Sequence, residues 1–271
     1  MVSQVFIAAA HKSSGKTLVS IGLCAAYRRR GMRVAAFKKG PDYIDPAWLA
    51  RASGRPCWNL DFFTMGHDEI HSCFEEHLQD ADVAVVEGNK GLFDGLDVEG
   101  SDSNAALAVR LGLPVILVID VTGITRGIAP LLAGYAGFDP DVQIVGVILN
   151  RVAGPRQESK LRAAIKRYSD LPVLGAIRRT PGLGIEERHL GLVPGNEDPD
   201  ALARIDQIVD AVEAGVDLDT VLTLTARRQD SVATRSAMPP ALSSGKDRPV
   251  RIGIARDRAF GFYYPDDLAA F

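Results

Sequence analysis

Residues 5–17 constrain this chain more than any other stretch. Val5-Phe6-Ile7 is a short apolar run that reads as a buried strand. It leads into Ala8–Thr17, AAAHKSSGKT, and then into Leu18–Tyr27, which reads as a helix. A strand, a small-residue loop closing in Gly-Lys-Thr, and a helix make a phosphate-binding P-loop. Gly15 lets the backbone approach an oxygen with no Cβ in the way. The loop N–H groups, those of Ser13 and Ser14 included, and the positive helix end face the anion. Lys16 is expected to reach the terminal phosphates, and Thr17 to offer its hydroxyl to Mg²⁺. The usual first Gly of the pattern is Ala10 here, so a plain Gly-Lys-Thr helix start competes as an explanation of the motif taken alone.

The bulk numbers narrow the class of protein. At 271 residues, 46% hydrophobic and 24% charged, the chain suits one large α/β domain, or one domain and part of another. A formal net charge of −3 leaves no electrostatic footprint for nucleic acid. Cys24, Cys57 and Cys73 lie far apart in no paired spacing, so neither a disulfide framework nor a zinc site is expected, and a cytoplasmic location is. The P-loop strand begins at the N-terminus, so no signal peptide is expected, and no apolar run is long enough to span a bilayer.

Further along, strands alternate with helices, the pattern of a mostly parallel sheet with helices on both faces. Arg33–Phe37 reads as the second strand and ends in Lys38-Lys39-Gly40-Pro41-Asp42-Tyr43-Ile44-Asp45-Pro46. Residues at the carboxyl end of a parallel strand lie at the crest of an open sheet, where ligands bind. Asp42 and Asp45 beside the lysine pair suit a Mg-phosphate site; turn and N-cap roles are the alternative. Helices are expected over 47–53 and 66–78. Asp82–Val86 is a strongly apolar strand ending in Glu87-Gly88-Asn89-Lys90-Gly91-Leu92-Phe93-Asp94-Gly95. An acid directly after such a strand is the usual second Mg²⁺ partner of P-loop enzymes. A solvated strand end for Glu87 and a tight turn for Asp94-Gly95 remain open.

Ser101–Leu111 reads as a helix capped by Ser101 or Asp102, Leu113–Ile119 as a buried strand ending in Asp120, and Ile124–Gly137 as a helix despite Pro130. Val142–Leu149 is another buried strand. It ends in Asn150-Arg151, which suit either a nucleobase contact or a polar strand terminus. Residues 158–168 and 199–214 read as helices with strand 172–177 between them. Glu187–Leu192 carries His189, a lone histidine that reads more simply as structural. From Arg227 to Pro249 the composition turns to Ser, Ala, Pro and charge, as in a linker, and Arg251–Ala255 reads as a fresh strand.

FKKGPDYIDP, VVEGNKGLFDG, ILNRV and RHLGLVP occur in that order, and together they resemble the cobyrinic acid a,c-diamide synthase family. The resemblance covers nearly the whole chain. It implies a dethiobiotin synthetase-like P-loop NTPase fold over 1–226, a linker over 227–249, and over 250–271 the truncated start of a class I glutaminase-like domain, to which IGIARDRAFGFYYPDDL is similar. It also implies ATP- and Mg²⁺-dependent amidation of the a- and c-acetate carboxylates of a tetrapyrrole through an acyl phosphate, a homodimeric assembly, and no nucleic acid or membrane partner. GNKGLFDGLDVEG resembles the sirohaem-amidating branch slightly more than the corrinoid branch.

Carried over by position, the resemblance implies that Gly15, Lys16 and Thr17 hold the triphosphate and that Lys38 stabilises charge on the transferred group. Thr17, Asp45 and Glu87 become Mg²⁺ partners. Asp42, Tyr43 and Asp94 lie near the acyl phosphate and substrate carboxylate, and Asn150 and Arg151 contact adenine. Family glutaminases use a Cys on a strand–helix elbow; none of the three cysteines here is expected on one. Ammonia is therefore expected from a glutaminase domain or partner chain, and Phe260–Tyr264 is expected to be an exposed apolar stretch unless something covers it. The competing class is a ParA/MinD-type switch ATPase, whose signature lysine would stand where this chain has His11.

Overall fold

A computed structural model describes residues 1–185, 187–188, 191–195, 197–227, 251–257 and 259–271. Seven parallel strands form one sheet: β1 (Val2–Ala9), β2 (Val34–Lys39), β3 (Cys57–Leu60), β4 (Val83–Glu87), β5 (Val115–Asp120), β6 (Ile144–Val152) and β7 (Val173–Arg178). Their spatial order is β3-β2-β4-β1-β5-β6-β7, and the two-residue strand Ala226–Arg227 adds antiparallel to β1. The central strands are mostly apolar and almost wholly buried because both faces are covered.

On one face lie α1 (Lys16–Arg29), α2 (Ile44–Ser53), and the later helices α7 (Ala201–Gly215) and α8 (Leu218–Leu224). On the other lie α3 (His67–Leu78), α4 (Asn104–Arg110), α5 (Ile128–Phe138) and α6 (Pro155–Tyr168). α7 approaches α1 so closely that a Cβ on Gly22 would stand 2.3 Å from Val212. Arg29 ties the same pair together, reaching Asp206, Asp210 and Glu213 on α7. A last helix, α9 (Pro265–Ala270), lies beside β3.

Several expectations shift. β2 runs on through Lys38 and Lys39, so both lysines are strand residues and both are buried. α4 starts at Asn104 and is capped by Ser103, whose hydroxyl accepts from Ala106 N at 3.0 Å. The expected caps are engaged elsewhere: Asp102 accepts from Leu96 N, and Ser101 bonds Asp97. α5 starts at Ile128, which places Pro130 in the first turn, where its missing N–H breaks no helical bond. Arg251–Ala255 forms no strand, and the described residues give it no ladder to join. Strand β3 and helix α8 had no counterpart in the sequence reading. His189 and residues 228–249 of the expected linker lie outside the described residues.

Candidate active site

The P-loop is shaped by its backbone. Gly15 has φ +96°, and a Cβ there would stand 2.0 Å from the Asn150 amide nitrogen. Ser13, at φ 61°, also occupies the left-handed region, whereas Ala10 does not, so no glycine is demanded at position 10. The buried Ser14 turns its hydroxyl inward to the His11 carbonyl (2.8 Å), which braces the loop. Asn150 Nδ2 donates to the Ser14 carbonyl at 2.9 Å from the end of β6.

Three neighbouring strand ends build the centre. In the parallel register Glu87 of β4 lies beside Lys38 of β2 on one side and Ile7 of β1 on the other. Lys38 Nζ donates to Asp45 Oδ2 (2.5 Å), Glu87 Oε1 (3.0 Å) and the Gly88 carbonyl (3.2 Å), with Asp42 Oδ2 at 3.7 Å. Thr17 Oγ1 donates to Glu87 Oε1 at 2.6 Å and lies 3.4 Å from Asp45 Oδ2. Thr17, Lys38, Asp45 and Glu87 are thus one contact group.

Burial opposes the charge of Lys38, but Asp45 and Glu87, with Asp42 behind them, win and hold its pKa well above the usual lysine value. Asp45 likewise resists desolvation and is held below the carboxylate range by Lys38. Burial pushes Glu87 up against the pull of Lys38. Burial also lowers Lys16 to about 8, with Glu87 acting against the shift. Glu87 Oε2 is buried without a hydrogen-bond partner. The Thr17 hydroxyl and the Asp45 and Glu87 carboxylates, the latter with one orphaned oxygen, form an oxygen donor set that fits Mg²⁺.

The remaining expected residues are placed differently. Asp42 Oδ1 accepts from Ile44 N and Asp45 N, so it both shapes the start of α2 and faces Lys38. Asp94 closes a turn on Gly91 N at 2.9 Å while its charge acts on Lys16. Tyr43, beside the crevice-lining Asp42 and Ile44, stacks on Tyr264, with ring centroids 4.3 Å apart. Arg151, at φ 59°, pairs with Asp120 at 2.6 Å. The crevice, about 690 Å³, runs from Lys12 and Lys90 past the Lys16–Glu87 centre to Asn150, Arg151, Arg178, Arg179 and Ile185.

Residues 5–193 match the family model described as the CobQ/CobB/MinD/ParA nucleotide binding domain. The chain belongs to this family. A cobyrinate a,c-diamide synthase of Magnetococcus marinus is 51% identical over 276 residues, covering 99% of this chain and 58% of that protein. The cobyrinate a,c-diamide synthase of Syntrophotalea carbinolica is 41% identical, covering 98% of this chain and 58% of its own length. A hydrogenobyrinate a,c-diamide synthase of Agrobacterium fabrum is 41% identical, covering 96% and 58%. The chain therefore spans under three fifths of the length of these relatives.

Two braces of this CobQ/CobB/MinD/ParA nucleotide binding domain escaped the sequence reading. Asn59 Nδ2 donates to the carbonyls of Gly40 and Asp42 and holds the β2–α2 loop. Asn104 accepts from Asn89 N and donates to the Gly91 carbonyl, fixing the loop after β4. Each stands far along the chain from the loop it holds, so no local spacing marks it. Cys24 lies within α1, Cys57 opens β3 and Cys73 lies within α3, none on a strand–helix elbow. Burial raises all three thiols, Cys73 to about 12, which leaves them poor nucleophiles. Among the described residues no helix is long and apolar enough to cross a membrane.

Proposed function

We propose that this chain is the ATP-dependent amidoligase part of a tetrapyrrole a,c-diamide synthase. The observation that carries the reading is the joining of Lys38, Asp45, Glu87 and Thr17 beside the P-loop, with one buried Glu87 oxygen unpartnered. Thr17, Asp45 and Glu87 would hold Mg²⁺, which when bound supplies neutralising charge to the triphosphate. The relatives' names favour a corrinoid-type substrate over sirohaem and a synthetase over a switch ATPase.

In this reading a peripheral carboxylate oxygen attacks the γ-phosphorus of ATP and ADP leaves. The nitrogen of ammonia then attacks the acyl carbon, phosphate departs with one carboxylate oxygen, and the nitrogen loses a proton. Lys38 and Lys16 offset charge on the transferred group, while the crest loops hold the two reactants in line. Asp42 and Asp94 stand where the substrate carboxylate enters, Tyr43 lies at that margin, and Asn150 and Arg151 flank the nucleoside end. Ammonia comes from a glutaminase domain or partner chain.

Isotope transfer tests the chemistry. With ¹⁸O in the substrate acetate groups, one label per amide formed is expected in released phosphate. Amide product with unlabelled phosphate would remove the acyl phosphate.

Nucleotide affinity carries a pH signature. Lys16 is cationic below about 8 and attracts the triphosphate there; above it the attraction fades. Calorimetric titration with Mg-ATP is therefore expected to show weakening affinity as pH rises through that value. Lys16→Arg flattens the dependence, because guanidinium stays charged. An affinity indifferent to pH in the unaltered chain would separate Lys16 from the triphosphate.

A further inference from the structure

Away from the crest, at the β3 edge, three side chains of metal-ligating type converge. Cys73 and His77 stand four residues apart on α3, so both project from one face of the helix. Asp266 comes to them from α9, nearly two hundred residues later. One donor atom from each, thiol sulfur, imidazole nitrogen and carboxylate oxygen, lies within 4.8 Å of the other two.

We infer that Cys73, His77 and Asp266 form a binding site for a borderline divalent cation of the Zn²⁺ or Co²⁺ type. A thiolate–imidazole–carboxylate set selects such ions over Mg²⁺, and three protein ligands leave the fourth tetrahedral position to water. On binding, the thiol proton leaves to solvent and the sulfur donates its pair to the ion.

The surroundings agree. Burial and then Asp266, Glu76 and Glu69 act on Cys73, and burial and then Asp267, Glu69 and Glu76 act on Asp266; all these neighbours are negative, and no cation among the described residues pulls on either group. Among the described residues none of Asp266, Glu69 and Glu76 is in an ion pair. Arg55 is the cation felt at His77, and its guanidinium is occupied with the Asp80 carbonyl. Burial keeps the His77 ring toward its neutral form, the form that ligates. His77 also stacks on Trp58, centroids 3.5 Å apart, which fixes the plane of its ring.

Occupancy would fasten α9 to α3. The same C-terminal segment places Tyr264 on Tyr43 of the β2–α2 loop, so the ion would also steady the aromatic contact at the margin of the candidate active site. This assignment stands on residues the amidoligase reading does not use, so either can fail without the other.

Cobalt tests it directly on the 271-residue chain. Titration with Co²⁺ is expected to give one ion per chain, a thiolate-to-cobalt charge-transfer band in the near ultraviolet, and quenching of Trp58 fluorescence. Zn²⁺ should displace the ion and excess Mg²⁺ should not. Cys73→Ser should abolish the band. His77→Gln and Asp266→Asn should each weaken binding by more than the roughly 10–100-fold typical of losing an outer-shell partner. Circular dichroism verifies that each variant is folded, and should Cys73→Ser fail to fold, loss of the band on prolonged alkylation of the half-buried Cys73 thiol of the unaltered chain replaces it. Absence of a thiolate band in the unaltered chain overturns the site, as does a band that survives Cys73→Ser or an affinity unmoved by Asp266→Asn.

Discussion

Lys38→Met is expected to destabilise the protein by about 3–5 kcal/mol near neutral pH, the cost of leaving buried carboxylates without their cation. Met keeps most of the volume, so the loss reports charge rather than a cavity. The Lys38 side chain is 3% exposed, and its partners Glu87 and Asp45 are 0% and 16% exposed, so solvent offers little screening. For a chain of this size the shift in Tm is on the order of 10 °C.

The pH dependence of that loss has a definite sign. The raised folded pKa of Lys38 means its contribution is fully present below the unfolded lysine pKa and fades only in strong alkali. Asp45, held low, contributes above its unfolded pKa and loses the contribution as pH falls through the folded value. Without Lys38 both carboxylates titrate higher, so lowering pH from about 8 to about 5 lets them protonate and narrows the gap to the unaltered protein. Millimolar Mg²⁺ should recover part of the loss. Thermal scans at several pH values check this, and a variant with unaltered Tm throughout would show that Lys38 is not the counter-ion of Glu87 and Asp45.

Gly15→Ala is the second large effect. The new Cβ meets two obstacles, a left-handed φ of +96° and the Asn150 amide 2.0 Å away. Together these cost about 2–4 kcal/mol. The shifted loop should also lose nucleotide affinity by on the order of tenfold or more, since its N–H groups no longer converge. Adding Asn150→Ala removes the collision but not the φ strain, so the double variant should be less damaged than the sum of the singles, a coupling of about 1 kcal/mol or more. Strict additivity in chemical unfolding would mean that Gly15 and Asn150 do not meet.

The apolar strands and the P-loop were legible because their signals are local. Val5–Thr17 carries strand, loop and helix start in one run, and Glu87 follows an uninterrupted apolar strand. β3 was not legible: it has four residues, one of them polar Asn59, and becomes a strand because β2 offers a ladder beside it. The start of α5 was misplaced because apolar periodicity continues through a turn that Ile124 closes onto Val121. Ser103 caps the helix in place of Ser101 and Asp102 because those two are engaged in the preceding loop, Ser101 with Asp97 and Asp102 with Leu96.

By itself the sequence determined that a phosphate-binding loop opens a parallel α/β sheet and that acidic loops follow the strands over 33–37 and 82–86. Only the tertiary structure decided that Lys38 is the buried counter-ion of Asp45 and Glu87, since that pairing depends on β4 inserting between β1 and β2. It also decided that Asn59, Asn104 and Asn150 brace the crest and that Cys73, His77 and Asp266 meet. Hydrophobic periodicity is written along the chain within a few residues, whereas a contact between distant side chains exists only once strand order and register bring them within hydrogen-bond reach.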